Sequence, residues 1–459
     1  MFDTIPSQDA RQDASRAAPT QDVAPGKTTL TSRLAQRSGS PTGSDVPVQG
    51  KSTGTTPAPA SGTAAPAAAA KTPKQQLDAF VAMTAKDRDG FLAGLTAATR
   101  KTLADGLTHA DVTGADHESA LRQLFDSTPD AEQDTLARWM AVRFNIVVGL
   151  ASLGGKQWTK AGLRRAWDVL QTLPPAQVEN NVELSKLTRY DSTSIEGWAS
   201  STGEAAIGYG DGHPIDAIEE TGAFTDPGDP LRNTNLFDVT VLHEIGHRVD
   251  PLVNASAEYC TTADGGGWQG LNTSDVATRM VTESNGAIAQ WDASKATQKQ
   301  EIIQALQNYV DAGSSGSLDT QFLLMPFLAS LPAAEKTEII ATIRKDPVVD
   351  ALEKGISAGW TKPDGGTAIN GRIYQKSYPG QWTSYNAAAR ARKVSTYQFR
   401  HPAEWFAEAY SAYYAPGTTK GQLLGQTDPK TKDYFDSTVD TVGAPATASG
   451  AGKTPKNGQ

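Results

Sequence analysis

The chain has 459 residues, 51 acidic against 42 basic, giving a formal net charge of −9 and an isoelectric point near 5.3. That balance argues against nucleic acid or an anionic membrane as a main partner. A single cysteine, Cys260, excludes any internal disulfide and fits folding in a reducing cytosol, as a small core or surface residue rather than a thiolate blocking a metal.

Residues 1–72 are rich in Ala, Pro, Ser, Thr, Gly and Gln and carry almost no aromatics. Such a segment cannot bury enough apolar surface to offset its chain entropy, so a disordered leader and linker is expected. Gly26-Lys27-Thr28-Thr29 imitates a phosphate-binding loop, but the full motif needs glycine where Gln21 stands. The start lacks the basic and apolar regions of a signal peptide, and the apolar stretches 144–153 and 322–331 are too short to span a bilayer. Ala24-Pro-Gly-Lys-Thr-Thr-Leu-Thr-Ser-Arg-Leu34, followed by Val46-Pro-Val-Gln49, resembles the leader of bacterial proteins encoded beside extracellular contractile injection systems. The resemblance implies an effector or toxin-like cargo, made in the bacterial cytoplasm without a signal peptide. It would be loaded through contacts with injection-system components and delivered outside the cell or into a target cell.

From 73 to about 175 helical spacing takes over. Leu77, Phe80, Val81 and Met83, then Phe91, Leu92 and Leu95, then Leu121, Leu124 and Phe125 predict a helical domain. Trp139, Val142, Phe144, Val147 and Val148 predict its most buried helix. His109 and His117 are out of helical register, with Gly114 between them, and read as solvated residues rather than ligands. A helix is expected to end before Pro174, with a second short helix following. Between 190 and 235 helix formers thin out. Short β-like runs at 205–209 and 214–218 flank Gly210-Asp-Gly212, with 205–209 expected as an edge strand that holds substrate backbone by strand addition. His213, before Pro214, reads as a turn residue.

The segment Asp238-Val-Thr-Val-Leu-His243-Glu244-Ile-Gly-His247-Arg-Val-Asp250 carries H-E-x-x-H. Leu242, Ile245 and Val249 recur at helical spacing and face a core, which puts His243 and His247 one turn apart on one face. Two imidazoles so placed converge where a tetrahedral Zn²⁺ needs two nitrogens, and Glu244 stands where it can take a proton from an attacking water. Pro251 is expected to stop this helix. A helical insertion at about 275–360 follows, on the spacing of Ile302, Ile303, Leu306, Tyr309 and Val310 and of Ile339, Ile340 and Ile343, placed to shape or cover the cleft.

Two histidines leave such a site one protein ligand short. Pro402 suits a first helical turn, and Glu404 and Glu408 then share a face one turn apart. Glu404 can complete a His2Glu set, with His401 as the alternative, and Glu408 can accept the free ring N–H of a ligand histidine.

H-E-x-G-H, then Ser395-Thr-Tyr397, then Pro402-Ala-Glu404-Trp-Phe-Ala-Glu408-Ala-Tyr410 resembles the gluzincin-type zinc metallopeptidases of the anthrax lethal factor-like kind. The resemblance implies metal ligands His243, His247 and Glu404, the base Glu244, Glu408 in the outer shell against His243, and Tyr397 assisting catalysis. It also implies hydrolysis of a protein or peptide substrate; specificity is expected to lie in pocket shape contributed by 200–235 and 365–400, where no motif names a bond. The competing class is a catalytically inactive zincin-like binding or structural cargo module. The fold expectation is α+β and mostly helical, with a zincin-like metallopeptidase domain and small sheet over 176–440, the helical domain before it, and a disordered tail at 441–459.

Overall fold

A computed structural model describes residues 71–152, 154–190, 197–208, 229–357, 359–361 and 365–443. The leader, the run at 209–218 with His213, and the tail from 444 lie outside the described residues. Among the described residues five helices come first: α1 (Pro73–Ala82), α2 (Ala85–Gly94), α3 (Ala97–Asp105), α4 (Ala115–Ser127) and α5 (Gln133–Phe144). Thr72, Thr84 and Thr96 cap the first three with their hydroxyls, satisfying amides that the first turn leaves unpaired. His109 and His117 take separate partners: the Val142 carbonyl at 3.1 Å and Asp78 at 2.9 Å.

The buried helix expected to run through Val148 ends earlier. Trp139, Val142 and Phe144 are buried in α5, but Asn145 turns left-handed at φ 55°, and the β-branched pair that follows belongs to a strand, β1 (Val147–Leu150). After α6 (Lys160–Leu170), the short helix expected beyond Pro174 is one 3₁₀ turn, Pro175–Gln177. The chain then enters β2 (Lys186–Arg189), β3 (Gly197–Ala199) and β4 (Glu204–Ile207). These form a mixed sheet of order β1-β2-β4-β3, parallel except for the β3–β4 pair. The described part of the run expected at 205–209, residues 205–207 of β4, is therefore not an edge. Gly203, at φ +84°, turns the chain between β3 and β4, which pair antiparallel, so the described edge on that side is 197–199, with β1 at the other.

Next comes α7 (Leu236–Val253), which carries H-E-x-x-H. Pro251 does not stop it. Proline lies in the last turn, where it forfeits few helix bonds, and the end comes two residues later at Asn254, left-handed at φ 53°. Beyond β5 (Gln269–Leu271) lie the inserted helices: α8 (Val276–Glu283), α9 (Ala296–Ala312), α10 (Leu318–Leu323), α11 (Pro326–Ala329), α12 (Ala333–Arg344) and α13 (Pro347–Ile356). An antiparallel sheet of order β5-β8-β7-β6 follows, made by β6 (Ala368–Ile369), β7 (Arg372–Tyr378) and β8 (Gln381–Asn386) with β5. The chain closes with α14 (Pro402–Tyr414), α15 (Gln422–Thr427) and α16 (Pro429–Tyr434).

The protein is mostly helical, and among the described residues no helix is long and apolar enough to cross a membrane. One core joins the first helices, β2, β4, α7 and α14, from Leu77 to Val439. The inserted helices and second sheet fill another, from Val276 to Trp382. A small aromatic cluster of Cys260, Trp268, Tyr385, Phe399 and Trp405 lies where the second sheet meets α14. Cys260 is fully enclosed there, and burial pushes its thiol well up, so it is a core residue.

Candidate metal centre

The centre is where α7 crosses α14. Asn235 caps α7 by accepting the Asp238 amide at 3.2 Å. The crossing is close because of Gly246: a Cβ there would lie 3.1 Å from both Ala407 Cα and Tyr410 Cβ. On the facing helix, His401 is the cap, its Nδ1 accepting the Ala403 amide at 3.3 Å, with Pro402 in the first turn. That bond occupies His401, which stands outside the cluster of ligand atoms.

Nε2 of His243 lies 3.1 Å from Nε2 of His247 and 3.1 Å from Oε2 of Glu404, and the third separation, His247 to Glu404, is 3.3 Å. Four ligands held tetrahedrally at 2.0–2.1 Å stand about 3.3 Å apart. The three atoms are thus spaced as one face of such a tetrahedron, and the group can hold a metal ion. Two imidazoles and one carboxylate are a borderline donor set, unlike the six to eight oxygens that calcium takes.

Electrostatics at this point call for a cation. Burial works against a charged His243, yet hydrogen bonding to Glu404 and Glu408 outweighs it and draws the imidazole well above its ordinary pKa. Burial likewise opposes an ionised Glu404, and His247 and His243 overcome it, holding that carboxyl well below the usual range. A metal meets the same demand as those protons. Nδ1 of His243 is 2.7 Å from Oε1 of Glu408, the place of a carboxylate that fixes a ligand histidine's tautomer.

Glu244 is 4% exposed, and burial raises its pKa against the pull of the two histidines. Among the described residues its Oε2 has no hydrogen-bond partner. The edge strand β3 lies directly over it: a methyl group at Gly197 would overlap the Glu244 carboxylate, so glycine is needed where strand and side chain meet. Arg248, one turn along α7, donates to the Ser200 carbonyl just after β3.

Tyr397 stands on a 3₁₀ turn with its ring centre 5.8 Å from that of His243 and its hydroxyl 3.5 Å from Glu404 Oε1. The turn is tied down by Asp229, whose Oδ2 accepts the Thr396 amide at 2.9 Å. A second phenol reaches the same oxygen: Tyr378, the last residue of β7, donates to Glu404 Oε1. Oε2 is thereby left facing the histidines.

Tyr378, Gly197, Asp229 and Arg400 escape sequence reasoning. Each acts through tertiary approach from a short strand or loop, and none has a helical repeat to mark it; Arg400 alone stands close to a motif, three residues after Tyr397. Set against known protein families, curated proteins and solved structures, the chain matches none.

Proposed function

We propose that the protein is a zinc-dependent endopeptidase of the zincin kind, with His243, His247 and Glu404 as ligands. The observation that carries this reading is the tetrahedral spacing of three converging ligand atoms with a buried acidic side chain, Glu244, beside them. A zinc ion held there supplies Lewis-acid polarisation and acidifies water to about pKa 7.

The chain's own residues do the rest. Glu244, enclosed and with its pKa raised, is suited to take the proton of the attacking water and hand it to the leaving amine. Tyr397 donates its hydroxyl to the carbonyl oxygen as negative charge develops there. Glu408 orients His243, and Tyr378 keeps Glu404 presented through one oxygen. The outer edge of β3, above Glu244, pairs with an extended substrate backbone and lays the scissile bond across the site.

The deciding experiment measures metal in the purified protein beside its Glu404→Ala variant, with peptide cleavage assayed on both. About one zinc per chain, lowered together with cleavage in the variant, is expected. Zinc unchanged in the variant would remove Glu404 from the ligand set and the reading with it. Delivery is a separate part of the proposal and rests on the leader resemblance at Ala24–Leu34 and Val46–Gln49. Deleting residues 1–50 is expected to abolish loading into an injection particle and leave cleavage intact, whereas unchanged loading would discard the leader.

A further inference from the structure

Beside Glu404 an aromatic frame encloses a cation that the reaction scheme does not use. The Arg400 guanidinium carbon lies 4.3 Å from the ring centre of Tyr378, 4.9 Å from that of Trp360 and 5.6 Å from that of Tyr397. Nη1 donates to the Tyr397 hydroxyl at 3.1 Å, and Nε is enclosed without a partner. Among the described residues the Arg400 guanidinium has no other hydrogen bond and no ion pair. The residue is nonetheless not sealed off, being half-buried overall.

Arg248 likewise holds no carboxylate among the described residues, but it lacks the aromatic frame, and other shielded arginines are matched. Arg100, Arg143 and Arg392 each hold a carboxylate. Removing a guanidinium from water without a counter-ion is costly, and stacking on aromatic rings recovers only part of that cost. Glu404 attracts Arg400 through space, but its oxygens are already engaged, Oε2 by the histidines and Oε1 by Tyr378. A residue needed only to steady the Tyr397 phenol could be a neutral donor. A guanidinium framed by three rings, with part of its fork unmatched, is the group that grips a carboxylate through two parallel bonds.

We propose that Arg400 is a carboxylate-binding subsite of the cleft, and that the preferred peptide presents a carboxylate on the Tyr397 side of the scissile bond. The inference rests on the peptidase reading for its substrate, and the carboxylate can come from an Asp or Glu side chain or from a free peptide C-terminus.

The test uses the full-length, zinc-loaded chain and a mixed peptide library prepared with free and with amidated C-termini, with cut sites read by mass spectrometry. Wild-type protein is expected to enrich cut sites having Asp or Glu at one fixed position, or sites at a fixed distance from a free C-terminus that vanish on amidation. Arg400→Gln should reduce that enrichment roughly tenfold or more, the scale of one charge-assisted hydrogen bond. Arg400→Lys, which keeps the charge without the fork, should fall between them, and it replaces the Gln variant if that variant fails to retain zinc. An even distribution of wild-type cut sites, enrichment that survives Arg400→Gln, or an equal fall at acidic and neutral sites would overturn the subsite.

A binding arm keeps this separate from the peptidase reading. Acetyl-Glu-amide against acetyl-Gln-amide, and acetyl-Ala against its amide, are titrated by NMR into zinc-loaded Glu244→Gln protein and into the same protein with Arg400→Gln added. Preference for at least one of the two carboxylates, lost with Arg400, is expected. Absence of cleavage with that preference intact would sink the peptidase and keep the subsite, while absence of any preference would sink the subsite alone.

Discussion

Helix α7 buries 14 of its 18 residues, whereas α12, among the inserted helices, buries one of 12. A helix enclosed on every side cannot turn a charge toward water, so its polar groups need partners or a function. Asp238 pairs with Arg165 at 2.7 Å, Asp250 accepts the Ser256 amide at 2.8 Å, and His243 meets Glu408. Among the carboxylates of α7 Glu244 is the exception, buried with one oxygen unpartnered, as Nε of Arg248 also is, and it is the group assigned as the base. In the inserted region charges behave ordinarily: Lys354 and Asp350 pair in water, where such contacts contribute little. The helix pair α7–α14 supplies every ligand atom, and the second core reaches the centre through one strand end, Tyr378. An unpaired polar group therefore carries meaning in the first region that a charge in the second does not.

The largest expected effect breaks the exception itself. Glu244→Gln should retain the metal and lower peptide turnover by about 10²–10⁴-fold, the usual range for a general base. Ordinary turnover in that variant, measured beside metal content, would strip Glu244 of its role. The second test asks whether the two cores are separable. Phe322→Ala removes a fully buried ring from the second core and should cost about 3–5 kcal/mol in denaturant unfolding. Metal content under native conditions should stay unchanged, and a variant that loses its metal would mean the cores stand or fall together.

Gly197→Ala probes the strand above the base. The added methyl meets the movable end of Glu244 rather than backbone, so the carboxylate should shift while the fold holds. Turnover should drop on the order of 10²-fold, the scale of an ångström-sized misplacement, with the melting temperature nearly constant. The smallest expected effect tests the reach of the second core. Tyr378→Phe should weaken metal affinity about 10–100-fold in a competitive chelator titration, as loss of an outer hydrogen bond to a ligand does. Unaltered affinity would reduce Tyr378 to packing.

The parts of the centre legible in the sequence are those set by helical geometry. His243 with His247, and Glu404 with Glu408, are each four residues apart, so a shared face follows from the repeat alone, and the structure brings the three ligand atoms together. Local repeat says nothing about which strand lies outermost. Gly197–Ala199 is three residues long, too short to show alternation, and its position comes from pairing with β4. Val147 and Val148 continue an apolar helical pattern on paper, yet a single left-handed asparagine moves them into a strand. Pro251 misleads for a related reason, since its effect depends on how much helix lies beyond it. Tyr378 is the extreme case: its meaning exists only once β7 has been laid against α14.

The centre also fixes an order of events. His243 and Glu404 are 161 positions apart, and at roughly 5–20 residues per second a ribosome needs about ten to thirty seconds to travel between them. Throughout that interval the emerging chain displays both histidines and the adjacent glutamate without the third ligand or Tyr397. A nascent or prematurely ended chain thus cannot assemble the centre, and whatever chemistry it performs is withheld from the cell that makes the protein until translation has passed α14.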